Sequence, residues 1–277
     1  MTERPGVRRG RANLRRYGLA TATAIGCIVL SFRIAGAQES SPDLSGVWST
    51  TVTTFGDPAW SVEDLFACNC TSATYEYINR LLHDPTNDHL SAEELQRVVR
   101  AYNMQIISSL QTEAGREHDA AYDHAYYPAI QCEPLGAFLS ILLNDPIEFE
   151  HYADRIVIRT EDMASDRTIY VDGRGHPVAE PTSLGHSIGW FEGSTLVVET
   201  VGVSANVADD NLPIHNSDQA TSVERYTISE DGSRLHMTFT LTDPVRFREP
   251  LTLERTRIFT PQVPLEDAPC ESISGQR

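Results

Sequence analysis

The chain has 277 residues, 40% hydrophobic and 22% charged, a balance that excludes wholesale disorder and suits one large β domain or two small ones. It carries 39 Asp and Glu against 22 basic residues, all of them Arg, for a formal net charge of −17. So acidic a body repels phosphate backbones and anionic lipid surfaces, which sets nucleic acid aside as a partner.

Arg4, Arg8, Arg9, Arg11, Arg15 and Arg16 open the chain, an apolar run from Leu19 to Phe32 follows, and Ala35-Gly36-Ala37 ends it. That order is the basic, apolar, small-residue plan of a secretory signal peptide. The run is about 14 residues, short of the roughly 20 that a membrane span needs. Residues 1–37 are therefore read as a signal peptide, leaving a single domain over 38–277 that is periplasmic or secreted, with no membrane span after cleavage. Arg15-Arg16 leaves the twin-arginine route open beside the general one. Residues 1–37 hold seven Arg and one Glu, so cleavage takes the net charge from −17 to −23.

Cys27 leaves with the signal, and Cys68, Cys70, Cys132 and Cys270 remain, an even number suited to an oxidising compartment. The expected bridges join Cys132 to Cys270, both in Pro-bounded loops, and Cys68 to Cys70. A lone C-x-C does not carry the rival reading of Cys68-Asn69-Cys70 as a redox or metal site.

In chain order, Gly46 to Thr53 alternates as a first strand does. From Asp57-Pro58 the apolar spacing turns helical. Trp60, Val62, Leu65 and Phe66 mark one helix, and Tyr75, Ile78, Leu81 and Leu82 a second, which Ser72 can cap and Asp84-Pro85 ends. Ser91-Ala92-Glu93-Glu94 is a capping box ahead of a third helix with a wide apolar stripe through Leu110, and a weaker fourth spans Thr112 to Asp123. This helical insertion covers about 57–144. From Ile147 the period returns to two. Hairpins are expected at Arg155–Glu161 with Thr168–Asp172, Ser187–Phe191 with Thr195–Val201, and Ser222–Ser229 with Leu235–Thr242, before a last strand at Leu251–Phe259. The fold class is mainly β: an antiparallel barrel of about eight strands with an α-helical insertion after the first.

Two resemblances attach to these residues. Gly46-Val47-Trp48 on the first strand, with Arg255 and Arg257 on the last, resembles the lipocalin pattern, in which an Arg from the closing strand packs on a Trp of the opening one. That resemblance implies a sealed barrel end held by cation–π contact. Asp43-Leu44-Ser45-Gly46-Val47-Trp48, Tyr170-Val171-Asp172-Gly173-Arg174-Gly175-His176-Pro177 and Gly185-His186-Ser187-Ile188-Gly189-Trp190-Phe191-Glu192-Gly193 together resemble a family of secreted bacterial proteins of unknown function. The Cys-x-Cys segment and Leu81–Asp88 resemble a subset of it that carries the helical insertion. The resemblance implies fold and location and no activity.

Of nine histidines, His176, His186 and His215 fall in loops and strand starts of the β region. On one barrel rim they would make a proton-transfer site. Their spacing fits no metal signature, so neither metal nor cofactor is expected. Alternation puts His186, Ile188 and Trp190 on one strand face. Trp190, Arg255 and Arg257 are the ligand-binding candidates. Gly185-His186-Ser187-Ile188-Gly189 has the letters of a nucleophile elbow, but strand, not helix, follows the serine. The leading functional expectation is a barrel that binds a small, largely apolar molecule. Its rivals are a cofactor-independent isomerase, lyase or cyclase with a cavity histidine as general acid or base, and an envelope protein–protein module without a cavity.

Overall fold

Strict alternation along the strands builds a barrel with one dry face. On Arg234–Thr242, Leu235, Met237, Phe239 and Leu241 are buried while the residues between them face outward. The computed structural model describes residues 42–50, 68–161, 165–209, 212 and 214–266. The expected signal peptide, the helix start at Asp57, and Cys270 lie outside them.

The strands are β1 (Gly46–Ser49), β2 (Ile147–His151), β3 (Arg155–Thr160), β4 (Arg167–Tyr170), β5 (His186–Glu192), β6 (Thr195–Val201), β7 (Asn206–Asp209), β8 (Ile214–Asn216), β9 (Thr221–Ile228), β10 (Arg234–Thr242) and β11 (Leu251–Phe259). Nine of them close in the order β1-β11-β10-β9-β6-β5-β4-β3-β2, and β7 pairs with β8 as a separate ribbon. The expected mainly β barrel of about eight strands, with a helical insertion after the first, is thus the fold observed, and two details refine it. Ile147 and Phe149 alternate inward and make β2 a ninth stave. The β4–β5 pair runs parallel, with Ile169 opposite Ser187 and Tyr170 opposite Ile188. The β7–β8 ribbon, short and rich in Asn, Asp and Pro, reads in the sequence as loop.

The helical insertion follows β1. Among the described residues it comprises α1 (Ser72–His83), α2 (Ala92–Leu110), α3 (Glu113–Ala121), α4 (Pro128–Gln131) and α5 (Leu139–Leu142), with 3₁₀ turns at Pro85–Asn87 and His124–Tyr126. Thr71, rather than Ser72, caps α1; the capping box at Ser91 and Glu94 forms on α2 as its spacing demands. Helix α1 lies against β11, where Cys70 bridges to Glu254 and the Tyr75 hydroxyl donates to the Glu254 carbonyl at 3.3 Å. Ile78, Leu81 and Val99 form a small core of their own between α1 and α2. The insertion is therefore a flank at its start. Its end goes inside: Ala137, Phe138, Ile141 and Leu142 join the core of the barrel strands. Burying each such large side chain contributes about 1.5–3 kcal/mol.

The lumen is filled by side chains. Trp48, Phe149, Phe239, Tyr226 and Phe138 are among its largest buried members, with Phe138 edge-on to Phe239 at 5.6 Å and Phe149 edge-on to Tyr226 at 5.3 Å. Two ions sit among them. The Arg167 guanidinium donates to both Glu224 oxygens, at 2.7 and 2.5 Å. The Tyr226 hydroxyl donates to Glu224 at 2.6 Å and the Ser222 hydroxyl at 3.2 Å. A forked pair with added hydroxyl donors is the arrangement in which two buried charges offset their own desolvation.

Arg255 and Arg257 also point inward. Arg257 donates to the carbonyls of Asp145 at 2.7 Å, Ile141 at 2.9 Å and Leu143 at 2.9 Å; Arg255 binds the Leu143 carbonyl and, at 2.9 Å, the Asn144 side chain. Both tie the end of the helical insertion to the closing strand. Arg257 does reach Trp48, as the lipocalin pattern implies, but at the backbone carbonyl, 3.5 Å away. The Trp48 ring packs on Phe259 at 5.0 Å.

Cys68 and Cys70 are disulfide-bonded to each other. Cys132 is disulfide-bonded as well, and its expected partner, Cys270, lies outside the described residues.

Candidate functional site

Three histidines were the sequence's candidates, and the structure divides them between two places. His176 and His186 meet on the outside of the barrel, with their Nδ1 atoms 2.8 Å apart. Gly185 turns the chain into β5 with a φ of +59°, and a Cβ there would sit 2.5 Å from the Val201 carbonyl oxygen, so only glycine delivers His186 to this position. Tyr170 stacks on His186 at 5.3 Å, Arg174 covers Tyr170 at 3.8 Å, and Glu199 lies 3.6 Å from His176. Burial, then the neighbouring His176 and Arg174, hold the His186 pKa below its ordinary value.

The strand face of His186, Ile188 and Trp190 looks away from the lumen, because Ser187 is the buried neighbour, bonded to Thr200 at 2.8 Å. Trp190 is 40% exposed and donates its ring N–H to Glu192 at 3.0 Å. Glu192 in turn holds Arg225 at 2.7 Å, which makes the Glu192-Gly193 corner a braced hairpin turn. Of the ligand-binding candidates, Trp190 is on the outer surface, while Arg255 and Arg257 are committed to the 141–145 segment, Arg257 through backbone carbonyls and Arg255 through one carbonyl and the Asn144 side chain.

His215 lies elsewhere, on the β8 strand of the ribbon, and it has acquired a partner from the helical insertion. Its Nδ1 is 2.6 Å from Asp119 Oδ1, and both side chains are about nine-tenths buried. The other Asp119 oxygen accepts from the buried Gln111 side chain. A carboxylate against Nδ1 fixes the tautomer with the proton there, leaving Nε2 as the acceptor. The Tyr122 ring lies 4.3 Å from His215 and the His118 ring 5.1 Å, edge-on.

Local sequence explains how α3 reaches this point. Thr112 caps the helix through Gly115 N–H at 2.9 Å, and its hydroxyl donates to the Val245 carbonyl at 2.7 Å. Thr112 N–H donates to the Arg246 carbonyl at 2.9 Å, and Arg248 N–H to Leu110 at 2.9 Å. The start of α3 is thereby fixed to the β10–β11 connection. Gly115 permits the approach, since a Cβ there would collide with the Arg246 carbonyl oxygen. Four residues apart at the end of α3, His118 and Tyr122 share a face.

These residues line a cleft of about 390 Å³ bounded by α3, the 126–134 segment and the β7–β8 ribbon. Tyr122, Val207 and His215 are shared with an adjoining recess of about 180 Å³. Burial raises the Tyr122 phenol above its ordinary pKa, with Asp123 adding to it. Burial, then Arg246 and His215, lower that of His118, which is therefore a neutral imidazole near neutral pH. The arrangement offers an oriented base at His215, a proton donor at Tyr122 and a second imidazole within one side chain's width. Among the described residues no group of three or more His, Cys, Asp or Glu side chains is placed to hold a metal ion.

Asp119, Tyr122 and His118 were not found from the sequence. His118-Asp119 in the last turn of a short, capped helix, with Tyr122 just past its end, were the one available signal. Comparison with family models, with curated proteins and with solved structures finds no match to this chain.

Proposed function

We propose that the protein binds a small molecule in the rim cleft and transforms it by cofactor-independent acid–base chemistry of the isomerase, lyase or cyclase kind. The observation that carries this reading is the buried Asp119–His215 pair at 2.6 Å. Asp119 orients the ring and stabilises the imidazolium that forms when His215 takes a proton from substrate. The Tyr122 phenol returns a proton to the product. A cleft of about 390 Å³ lies within the usual range for small-molecule sites, roughly 300–1,000 Å³. A small-molecule carrier is the second reading, and it uses the same cleft, because the inward-facing side chains of the barrel already pack as one core.

Export to the periplasm or beyond accords with this reading. The Cys68–Cys70 bridge and a disulfide-bonded Cys132 suit an oxidising compartment. No described helix is long and apolar enough to cross a membrane.

The test is untargeted. The purified protein is incubated with small-molecule extract from its host, and species that disappear are followed by mass spectrometry. Wild type is expected to consume at least one species. His215→Gln should slow its loss by about 10²-fold or more, as removal of a general base does, and Asp119→Asn should slow it with the fold intact by circular dichroism. Equal rates in all three proteins would sink the catalytic reading. A ligand that is retained but unchanged would favour the carrier.

A further inference from the structure

Between the parallel strands β4 and β5 the chain stands clear of the barrel. From Asp172 to Thr182 every residue is exposed except His176. Gly173 and Gly175 have open space where a side chain would stand. The two ends of the segment are pinned. Val171 N–H donates to the Asp154 carbonyl at 3.0 Å; Thr182 N–H donates to the Gly202 carbonyl at 2.9 Å, and the Thr182 carbonyl accepts from Ser204 N–H at 2.8 Å. In between, Arg174 lies over the Tyr170 ring and binds Asp172 within the segment itself. Among the described residues, the one hydrogen bond that joins 172–181 to the barrel runs between His176 Nδ1 and His186 Nδ1, at 2.8 Å.

Two ring nitrogens face each other at that distance only with one proton between them, so one ring donates and the other accepts. A first added proton leaves the bond standing. It goes to the far nitrogen of the donor ring and makes the bond charge-assisted. A second proton has to enter at the accepting Nδ1. Two N–H groups then point at each other and the rings part. The two imidazoles thus titrate as one unit, and only the second step breaks the contact.

The groups packed around the pair act on it in both directions. Burial, His176 and Arg174 disfavour a charge on His186, whose pKa is held below its ordinary value. Glu199, on β6, lies 3.6 Å from His176 Nε2 and favours a charge on that ring. Tyr170, on β4, stacks on His186 through its ring. Asp172 and Asp154 act on Arg174.

The geometry points to residues 171–182 forming a strap closed by a shared proton, latched to β5 at His176 near neutral pH and released in acid when the imidazole pair takes its second proton. The strap is then held at its two ends alone. This device is independent of whether the cleft is a working site.

A nitroxide on Val178→Cys tests it in the purified protein, since Val178 is fully exposed and two residues from His176. The spectrum is recorded at about pH 7.5 and about pH 5, on either side of the ordinary histidine value. On acidification the rotational correlation time of the label should fall at least about twofold, as a tethered loop becomes a free one. Nitrogen-15 spectra of the imidazoles should place that fall at the second titration step of the pair. His186→Ala removes the latch from an outer strand face and should give the fast motion at both pH values. His176→Asn should give the slow motion at both, because its amide can turn N–H toward a neutral His186 and oxygen toward a charged one. Circular dichroism confirms the fold of each variant. A wild-type label equally mobile at both pH values, slow motion in His186→Ala at neutral pH, or a His176→Asn variant that loosens in acid as wild type does would overturn the latch.

Discussion

Two clusters of buried polar side chains stand in this molecule, and they are finished to different degrees. Inside the barrel, Glu224 receives both terminal nitrogens of Arg167 and the hydroxyls of Tyr226 and Ser222. At the rim, Asp119 is equally well held, by Gln111 and His215, yet the chain of contacts stops at His215 Nε2. The first cluster has no capacity left on its carboxylate and lies among fully buried side chains. The second ends in an unpaired, buried ring nitrogen on a residue that lines a cleft. Comparable chemistry thus yields a structural cross-brace in one case and a candidate site in the other. What separates them is the last hydrogen bond.

The sharpest way to break this contrast is Arg167→Met. It leaves the Glu224 carboxylate buried beside Tyr226 with its counter-charge gone, and removal of one partner from such a pair costs about 3–5 kcal/mol. Chemical denaturation should show that loss, while turnover per folded molecule stays near wild type. A loss under about 1 kcal/mol would mean that the brace is ornamental.

Gly115→Ala comes next. The new methyl strikes the Arg246 carbonyl, so α3 must shift, at about 1–3 kcal/mol for an overpacked contact. Because Asp119 rides on the same helix, turnover should fall with stability, which distinguishes this variant from Arg167→Met. Unchanged turnover at reduced stability would show that the dyad does not depend on the seat of α3.

The smallest effect is that of pH. Burial lowers the pKa values of His118, His151 and His186 in the folded chain, so the unfolded chain binds more protons below the ordinary histidine value of about 6.5. Their contribution to stability is complete above that pH and is lost as the pH falls toward the folded values. The melting temperature should therefore drop between neutral and mildly acid pH. His118→Gln should blunt the drop only in part, since His151 and His186 remain.

Much of the barrel was legible because its strands obey a period of two. Ser222, Glu224 and Tyr226 alternate with exposed neighbours as cleanly as Leu235 to Leu241 do. The ribbon was not, because Asn206–Asp209 and Ile214–Asn216 are too short and too polar for a period to declare itself. The site was half legible for a related reason. His215 stood out as a histidine in a polar connection, but its partner Asp119 is 96 residues away, on a helix whose sequence signals only a cap and weak amphipathicity. The expected convergence of His176, His186 and His215 failed on geometry. His186 keeps the strand face it shares with Trp190, which turns out to be the outer one, and His176 joins it there from a loop.

The parallel β4–β5 step has a consequence of its own. Around a closed ring, strands that reverse direction at every step come back in register only if their number is even. Nine staves are odd, so one seam must run the same way on both sides, and this barrel puts it between Arg167–Tyr170 and His186–Glu192. Parallel neighbours cannot be joined by a tight turn and need a connection of about a dozen residues. Residues 171–185 are that connection. They carry His176 to the outer wall and then Ser183 to the mouth of the cleft, where its carbonyl accepts from Ala137 N–H at 2.9 Å. The arithmetic of closing an odd ring thus supplies the long excursion that helps to build the cleft.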